Sequence, residues 1–308
     1  MRTGDLKILF ASNDSIALPV LNALNPEAVL TIRTTESGRK KRINPIALWA
    51  EQNNKKIHCI DHLMKKEREE ILCSGYDMLI SFSFSRIFGP KFLSIFPKGC
   101  FNIHPSLLPK YRGPSPLQAA LLNGDKTTGV VMQTISLKMD EGDIVSSQNI
   151  SIEPCDDYHT LFEKASRSAV SVVNGFFEIY PKIIFSPQIG EPTYTGLISK
   201  SEGKISFSEY GENIERKIKA YSEYPRMRCS FNDQILILQK ARFEKAVHSY
   251  ENGLVVGYKK NDALQIAVNG GFLYVTELQK QGKSLTDAQS FINGNKAIIG
   301  QLLKECEA

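Results

Sequence analysis

The chain has 308 residues, of which 42% are hydrophobic and 23% are charged, and its formal net charge is +5. This composition is typical of a globular protein and excludes disordered and collagen-like classes, while the length favours two domains. The small basic excess permits an anionic partner without requiring one, because clustering of charge on one face is what indicates nucleic-acid binding.

The sequence shows no membrane segment and no metal-binding motif. No run has the apolar length of a signal peptide or a membrane span. The six cysteines are scattered singly, without a CxxC pair, which argues against a disulfide framework and a structural zinc site. We therefore expect a cytoplasmic protein that is not bound to a membrane.

Strand-like and helix-like segments alternate along the N-terminal part. Buried strands are predicted at 6–12, 28–34, 55–61, 77–84 and 99–104, and helices at 16–25, 44–53, 62–73, 115–124 and 157–184. Such alternation predicts an α/β domain with a Rossmann-like, mostly parallel sheet and helices on both faces. We assign this domain to residues 1–184.

The pattern changes after a stretch rich in Pro, Gly, Ser and Thr at 185–203, which predicts a linker. One helix is predicted over 207–224. Five strand-like runs separated by turn residues follow, at 227–232, 234–243, 253–260, 263–269 and 271–280. Short strands in this number predict a C-terminal small β-barrel that resembles oligonucleotide-binding barrels, over 204–308.

The first turn argues against two common ligand classes. The strand at 6–12 is followed by NDSIALP, which has no G-x-G-x-x-G, and no G-x-x-x-x-G-K-[ST] loop occurs anywhere in the chain. Those motifs bring backbone amides close to phosphate groups. Nicotinamide and ATP chemistry of the usual kinds are therefore disfavoured.

Asn102 and His104 stand at the end of a predicted parallel strand. Residues two apart in a strand point to the same face, and ligands bind at the carboxyl ends of open α/β sheets. An asparagine offers a neutral donor for an oxygen that gains charge, and a histidine moves protons near neutral pH. The loop 105–116 carries four prolines and Gly113, which predict a stiff, preformed turn.

Asp140 lies in a second polar segment, MDEGD, where Gly142 allows the chain to turn. A carboxylate beside His104 would orient the ring and favour its imidazolium form. Taken singly, however, an N-x-H is also typical of a capped strand end, and Asp-x-Gly of a surface turn.

Two segments carry a family resemblance, FNIHPSLLPKYRGPSP at 101–116 and TGVVMQTISLKMDEGD at 128–143. They resemble the folate-dependent formyltransferases, most closely the branch that acts on methionyl-tRNA, and the resemblance extends over nearly the whole chain. It implies a formyl-transfer enzyme that uses 10-formyltetrahydrofolate as cosubstrate, needs no metal and acts as a monomer.

The same resemblance implies residue roles. The implied catalytic group is Asn102, His104 and Asp140. The residues implied to line the folate site are Ser106, Leu107, Leu108 and Pro109. A basic run takes the place of the loop that contacts tRNA in this family, in a shortened form, and consists of Arg39, Lys40, Lys41 and Arg42.

Other functions stay open at this point. The acceptor of the formyl group could be a nucleotide-sugar amine or glycinamide ribotide instead of methionyl-tRNA, although the second domain argues against the ribotide. A protein that binds RNA without catalysis would also use a basic oligonucleotide-binding-like barrel. The polar residues at 102, 104 and 140 argue against it, because binding alone does not need them.

Overall fold

The computed structural model describes residues 6–32, 44–60, 65–232, 234–259 and 263–306. The chain divides into two compact units. The first consists of Met1–Pro116, Thr127–Ile152 and Phe162–Thr195, and the second of Leu117–Lys126, Glu153–Leu161 and Gly196–Ala308. Part of the stretch predicted as a linker, up to Thr195, thus clusters with the first unit.

The first unit contains a seven-stranded sheet. Its strands are β1 (Ile8–Ala11), β2 (Ala28–Ile32), β3 (Lys56–Ile60), β4 (Met78–Phe82), β5 (Cys100–His104), β6 (Thr127–Thr134) and β7 (Ile144–Ser151). The order is β3-β2-β1-β4-β5-β6-β7. The pairs from β3 to β5 are parallel, whereas β5–β6 and β6–β7 are antiparallel. The predicted mostly parallel sheet is confirmed, and the β6–β7 hairpin is an addition to it.

Helices connect the strands, and the sequence predicted each of them except the four-residue helix at Pro90–Leu93. They are α1 (Leu18–Leu24), α2 (Pro45–Gln52), α3 (Lys65–Ser74), α4 (Pro90–Leu93), α5 (Pro116–Asn123) and α6 (Tyr158–Ile179). Asn44 starts α2 because its side-chain oxygen accepts from the backbone N–H groups of Ile46 and Ala47. The last helix, α6, ends at Ile179 rather than at 184, because Pro181 cannot continue a helix.

The central strands are apolar on both faces, which suits a parallel sheet with covered faces. All five residues of β4 are buried. On one face Leu9, Leu30 and Leu79 pack with the aromatic rings of the α4 region. Phe88 and Phe92 stack there with ring centroids 5.3 Å apart.

This core predicts a contrast between two leucines of the first unit. Leu79 is fully buried, whereas Leu72 is 56% exposed. Leu79→Ala should lower the free energy of unfolding by about 2–5 kcal/mol, because it removes apolar contacts and leaves a cavity. Leu72→Ala should change it by about 0.5 kcal/mol or less. Chemical denaturation measures both values, and equal losses in the two variants would contradict this core.

The second unit contains an antiparallel sheet that curls into a half-barrel. Its strands are β8 (Met227–Phe231), β9 (Gln234–Lys245), β10 (Val255–Lys259), β11 (Ala263–Val268), β12 (Gly271–Lys280), β13 (Thr286–Asp287) and β14 (Lys304–Glu305). The first five correspond to the five predicted strands. Helices α7 (Gly211–Ala220) and α8 (Ala288–Asn293) belong to the same part of the chain. Among the described residues, no helix is both long and apolar enough to cross a membrane.

Candidate active site

Asn102 lies in the middle of a row of polar residues that crosses three strands. It pairs with Ser81 on β4 and with Gln133 on β6. The Ser81 hydroxyl donates to the Asn102 side-chain oxygen over 2.7 Å. Holding the oxygen also fixes the direction of the amide nitrogen, which is the only donor that an asparagine side chain has.

His104 ends β5 and is only 5% exposed. Its Nε2 lies 2.9 Å from the backbone oxygen of Tyr111, in the loop that follows the strand. Because a carbonyl oxygen only accepts hydrogen bonds, Nε2 carries a proton and donates it. The other ring nitrogen, Nδ1, lies 3.6 Å from Oδ2 of Asp140. Nδ1 is therefore the ring nitrogen that faces the Asp140 carboxylate.

The Asp140 carboxylate is held by two donors from different parts of the chain. The backbone N–H of Gly113 donates to Oδ2 over 2.8 Å, and Nε2 of Gln133 donates to Oδ1 over 3.1 Å. The Asp140 side chain is only 13% exposed. If the His104 ring carried a positive charge, this fixed carboxylate would face the ring and stabilise the charge.

The turn that presents Asp140 has little freedom. Asp140 itself has a φ of 54°, in the left-handed region that Asp and Asn tolerate better than most residues. At Gly142, an added Cβ would lie 1.7 Å from the backbone oxygen of Thr134. A glycine is therefore required two residues after Asp140, because no larger residue fits against β6.

The predicted folate-lining segment follows His104 directly. Ser106 is fully buried, and its hydroxyl donates to the Lys110 backbone oxygen over 2.5 Å. Leu108 and Pro109 are buried, while the half-buried Leu107 packs against the backbone at Gly129. The segment has a defined conformation at the end of β5, and its contact with folate stays a prediction.

The loop 105–116 is also paired with the segment around Thr195. The Arg112 N–H donates to the Thr193 backbone oxygen over 2.9 Å, and the Thr195 N–H donates to the Arg112 oxygen over 2.7 Å. The Ser115 N–H donates to the Thr195 hydroxyl over 3.1 Å. These bonds hold the loop that carries Gly113, a donor to Asp140.

Sequence patterns did not indicate three of the residues that complete this site. Ser81, Gln133 and Gln188 lie in segments read as an apolar strand, an unassigned run and a linker. The positions of Ser81 and Gln133 depend on which strands are neighbours, and that of Gln188 depends on tertiary hydrogen bonds of a segment outside the strands, so no local spacing marks them. The predicted tRNA-contacting residues Arg39, Lys40, Lys41 and Arg42 lie outside the described residues.

The amino end of β5 differs in character from its carboxyl end. A groove of about 530 Å³ lies there, lined among others by Leu93, Cys100, Tyr180 and Phe185. Burial raises the pKa of the Cys100 thiol to about 12, so this group is protonated at neutral pH and is a poor nucleophile. In the described part of the chain, no group of three or more His, Cys, Asp or Glu residues could hold a metal ion.

Two family profiles match the chain. Residues 29–174 match the profile described as Formyl transferase, and residues 197–296 match Formyl transferase, C-terminal domain. A methionyl-tRNA formyltransferase of Borreliella burgdorferi (strain ZS7) is 34% identical over 315 residues, covering 98% of this chain and all of the relative. The chain belongs to the methionyl-tRNA formyltransferase family. It is therefore a formyl-group transferase, and the predicted family is confirmed.

Other similar proteins agree with this family. The methionyl-tRNA formyltransferase of Borrelia turicatae (strain 91E135) is 32% identical, covering 96% of this chain and 99% of the relative. Among solved structures, the N-formyltransferase of Helicobacter canadensis in complex with folinic acid and dTDP-3-aminofucose has a TM-score of 0.65 at 20% identity. It covers 89% of this chain and 99% of that chain.

A structure of HypX from Aquifex aeolicus in complex with tetrahydrofolic acid has a TM-score of 0.63 at 16% identity. This match covers 93% of the present chain and 47% of HypX, so the chain spans about half the length of HypX. At these identities both structural matches show a shared fold. The methionyl-tRNA formyltransferase family is thus identified by sequence, and its two-domain fold recurs in distant structures.

The constraint at Gly142 leads to a stability prediction. Gly142→Ala should lower the free energy of unfolding by about 1–3 kcal/mol, because the new methyl group overlaps the Thr134 carbonyl and displaces the turn. Gly257→Ala is a suitable control, since no atom lies within 4 Å of the Cβ that it would add. Urea denaturation of both variants provides the comparison. A native midpoint in Gly142→Ala would show that the turn is not constrained in this way.

Proposed function

We propose that this protein transfers the formyl group of 10-formyltetrahydrofolate to the α-amino group of methionyl-tRNA. The observation that carries the proposal is the convergence of Asn102, His104 and Asp140 at the carboxyl end of β5, in a member of this family. The protein would act as a cytoplasmic monomer, with charged tRNA and formyl-folate as its substrates.

Asn102 is the proposed donor to the formyl oxygen. As the amine adds to the formyl carbon, this oxygen gains negative charge. A neutral amide nitrogen held in place stabilises that charge without reorganising during the reaction. Ser81 supports this role, because its hydroxyl holds the opposite end of the Asn102 amide. One such donor contributes about 3 kcal/mol of transition-state stabilisation.

His104 is the proposed group that moves the proton. The attacking amine must lose a proton, and the leaving folate nitrogen must gain one. The Tyr111 carbonyl occupies Nε2, so both transfers would use Nδ1. Asp140 lies on that side of the ring and would stabilise the imidazolium formed between the two transfers. The two residues therefore act as one unit.

Folate is proposed to contact Ser106, Leu107, Leu108 and Pro109. This segment leaves the catalytic strand directly after His104, so a ligand bound along it reaches the donor and the proton carrier together. The bound folate supplies an activated formyl carbon. The protein residues place that carbon, exclude water and hold the proton at Nδ1.

The acceptor is tested by comparing substrates. Purified protein with 10-formyltetrahydrofolate should formylate methionyl-tRNA, and it should leave a nucleotide-linked amino sugar unchanged. Detection of formyl-methionine after base hydrolysis of the tRNA, and of formylated sugar by mass spectrometry, covers both acceptors. Formylation of the sugar alone would replace the proposed acceptor with a nucleotide-sugar amine.

The three catalytic assignments predict specific losses. His104→Ala should lower the single-turnover rate of formylation by about 10²–10⁴-fold, because it removes the proton carrier. Asn102→Ala should lower it by about 10²–10³-fold, with little change in substrate affinity. Asp140→Asn should also slow the reaction, because the carboxylate no longer stabilises the imidazolium.

His159→Ala is the matched control for these variants. His159 belongs to the second unit and is 60% exposed, so its removal should leave the rate unchanged. Rapid-quench kinetics with saturating substrates measures the chemical step for each variant. A near-native rate for His104→Ala would end the proposed mechanism.

The tRNA contact is proposed to use Arg39, Lys40, Lys41 and Arg42. Four basic residues in a row suit phosphate binding, which releases counterions and so depends on salt. Replacing all four with serine should weaken tRNA binding. The slope of log affinity against log salt concentration should become flatter by about two to three units, allowing for one of the four that contacts no phosphate. Formyl-folate affinity should hardly change.

A charge-matched control uses basic residues elsewhere on the surface. Four exposed lysines of the first unit serve for this, and replacing them with serine removes four charges; they are Lys66, Lys91, Lys98 and Lys182. This control should keep the native salt slope in a filter-binding assay. If the quadruple variant also keeps the native slope, the basic run does not contact tRNA.

A further inference from the structure

The side-chain amide nitrogen of Gln188 reaches the turn that presents Asp140. Nε2 donates to the backbone oxygens of Asp140 and Gly142, each over 2.8 Å. It also lies 3.2 Å from the side-chain oxygen of Gln133. Gln188 comes from the stretch that the sequence predicts to be a linker, 48 residues away from Asp140.

The opposite end of the same amide is held by Arg112. Nη2 of Arg112 donates to the Gln188 oxygen over 2.8 Å, and Nε donates over 3.2 Å. Arg112 is only 9% exposed, and its Nη1 also binds Glu141 over 3.0 Å. Because a guanidinium only donates, it fixes which end of the Gln188 amide is oxygen and which is nitrogen.

The orientation of one amide determines that of the next. Since Gln188 presents its nitrogen to the Gln133 oxygen, Gln133 presents its own nitrogen to the Asp140 carboxylate. Arg112, Gln188, Gln133 and Asp140 thus form a chain of donors and acceptors that ends 3.6 Å from the ring of His104. Reversal of any amide in this chain would place two oxygens or two N–H groups against each other.

The backbone of Asp140 needs this support. With a φ of 54°, Asp140 lies in the left-handed region, which costs free energy in residues other than glycine although Asp tolerates it better than most, so the surrounding structure helps to hold it. Gln188 binds the carbonyls on both sides of Glu141, the residue that also binds Arg112. The segment from Gln188 to Thr195 therefore braces the turn and the loop around Gly113.

We propose that Gln188 is a positioning residue for formyl transfer, acting through Asp140 on His104. The inference rests on the proposed roles of Asp140 and His104, and it adds a residue whose side-chain amide is bonded at both ends to protein atoms. It also makes the end of the predicted linker a functional part of the first unit.

Gln188→Glu tests this proposal because it keeps the side-chain shape and the oxygen that faces Arg112. The substitution replaces the donor with a second oxygen, which would lie against the Asp140 and Gly142 carbonyls. We expect at least about a tenfold lower single-turnover rate, which corresponds to the loss of about 1.4 kcal/mol. The dissociation constants of formyl-folate and methionyl-tRNA should stay within about twofold of the native values, because both ends of the Gln188 amide are bonded to protein atoms.

Gln148→Glu is the matched control. Gln148 is an exposed glutamine on β7 of the same unit, and its change to glutamate should leave the rate native.

Coupling between Gln188 and Asp140 provides a further check. In an Asp140→Asn background, Gln188→Glu should cause no further loss of rate, because both changes act through the same Asp140 carboxylate. Additive losses would contradict the proposed route through Asp140.

A second readout does not depend on the acceptor. The chain has five histidines, and the ring signals of His104 can be assigned in ¹⁵N-histidine spectra by their loss in His104→Asn. Gln188→Glu should shift the His104 Nδ1 signal, and Gln148→Glu should not. If Gln188→Glu proves unstable in a thermal melt, Gln188→Ala removes the donor without adding charge and should shift the same signal.

The possible results separate the two proposals. If the native protein does not formylate methionyl-tRNA, the proposed function fails, while the His104 signal still reports whether Gln188 positions the ring. If the native protein is active but Gln188→Glu keeps both the native rate and the native Nδ1 signal, Gln188 only ties two loops together and the inference is wrong.

Discussion

The site depends on one constraint, the placement of the Asp140 carboxylate beside Nδ1 of His104. Asp140 lies in a turn that is unfavourable by itself, and three separate segments hold it. Gly113 and Gln133 bind its carboxylate, and Gln188 binds its backbone oxygen. Burying a carboxylate costs free energy unless it keeps its hydrogen bonds, so moving Asp140 away from these donors would be unfavourable. The histidine ring thereby meets a fixed negative charge rather than a mobile one.

The sheet order explains why these residues meet. Strand β5 is parallel to β4 on one side and antiparallel to β6 on the other. The connection after β6 starts beside the amino end of β5, where the Ile135 N–H donates to the Cys100 oxygen, and it folds back so that Asp140 reaches His104. Directly opposed residues share a face, which places Ser81, Asn102 and Gln133 in one row. Two adjacent positions of β5 on that face then carry Asn102 and His104, the proposed oxyanion donor and the proposed proton carrier. The rigid loop after β5 adds the Gly113 N–H.

Much of this arrangement was predictable from the sequence. Alternating segments predicted the parallel sheet, and strand periodicity placed Asn102 and His104 on one face at a carboxyl end. The supporting residues could not be found this way, because they depend on tertiary contacts between distant segments. Gln188 is 76 residues from Arg112 and 55 from Gln133, and it lies in a stretch whose composition is that of a linker. Amino-acid composition indicates how flexible a segment is locally. It does not indicate which distant residues the segment contacts in the folded protein.

The most direct test of the account is a crystal structure with a stable analogue of 10-formyltetrahydrofolate. The account predicts that the formyl oxygen lies about 3 Å from Nδ2 of Asn102, with the formyl carbon on the Nδ1 side of His104 and the folate along 106–109. Binding of the analogue in the groove at the amino end of β5, beside Cys100 and Phe185, would contradict it.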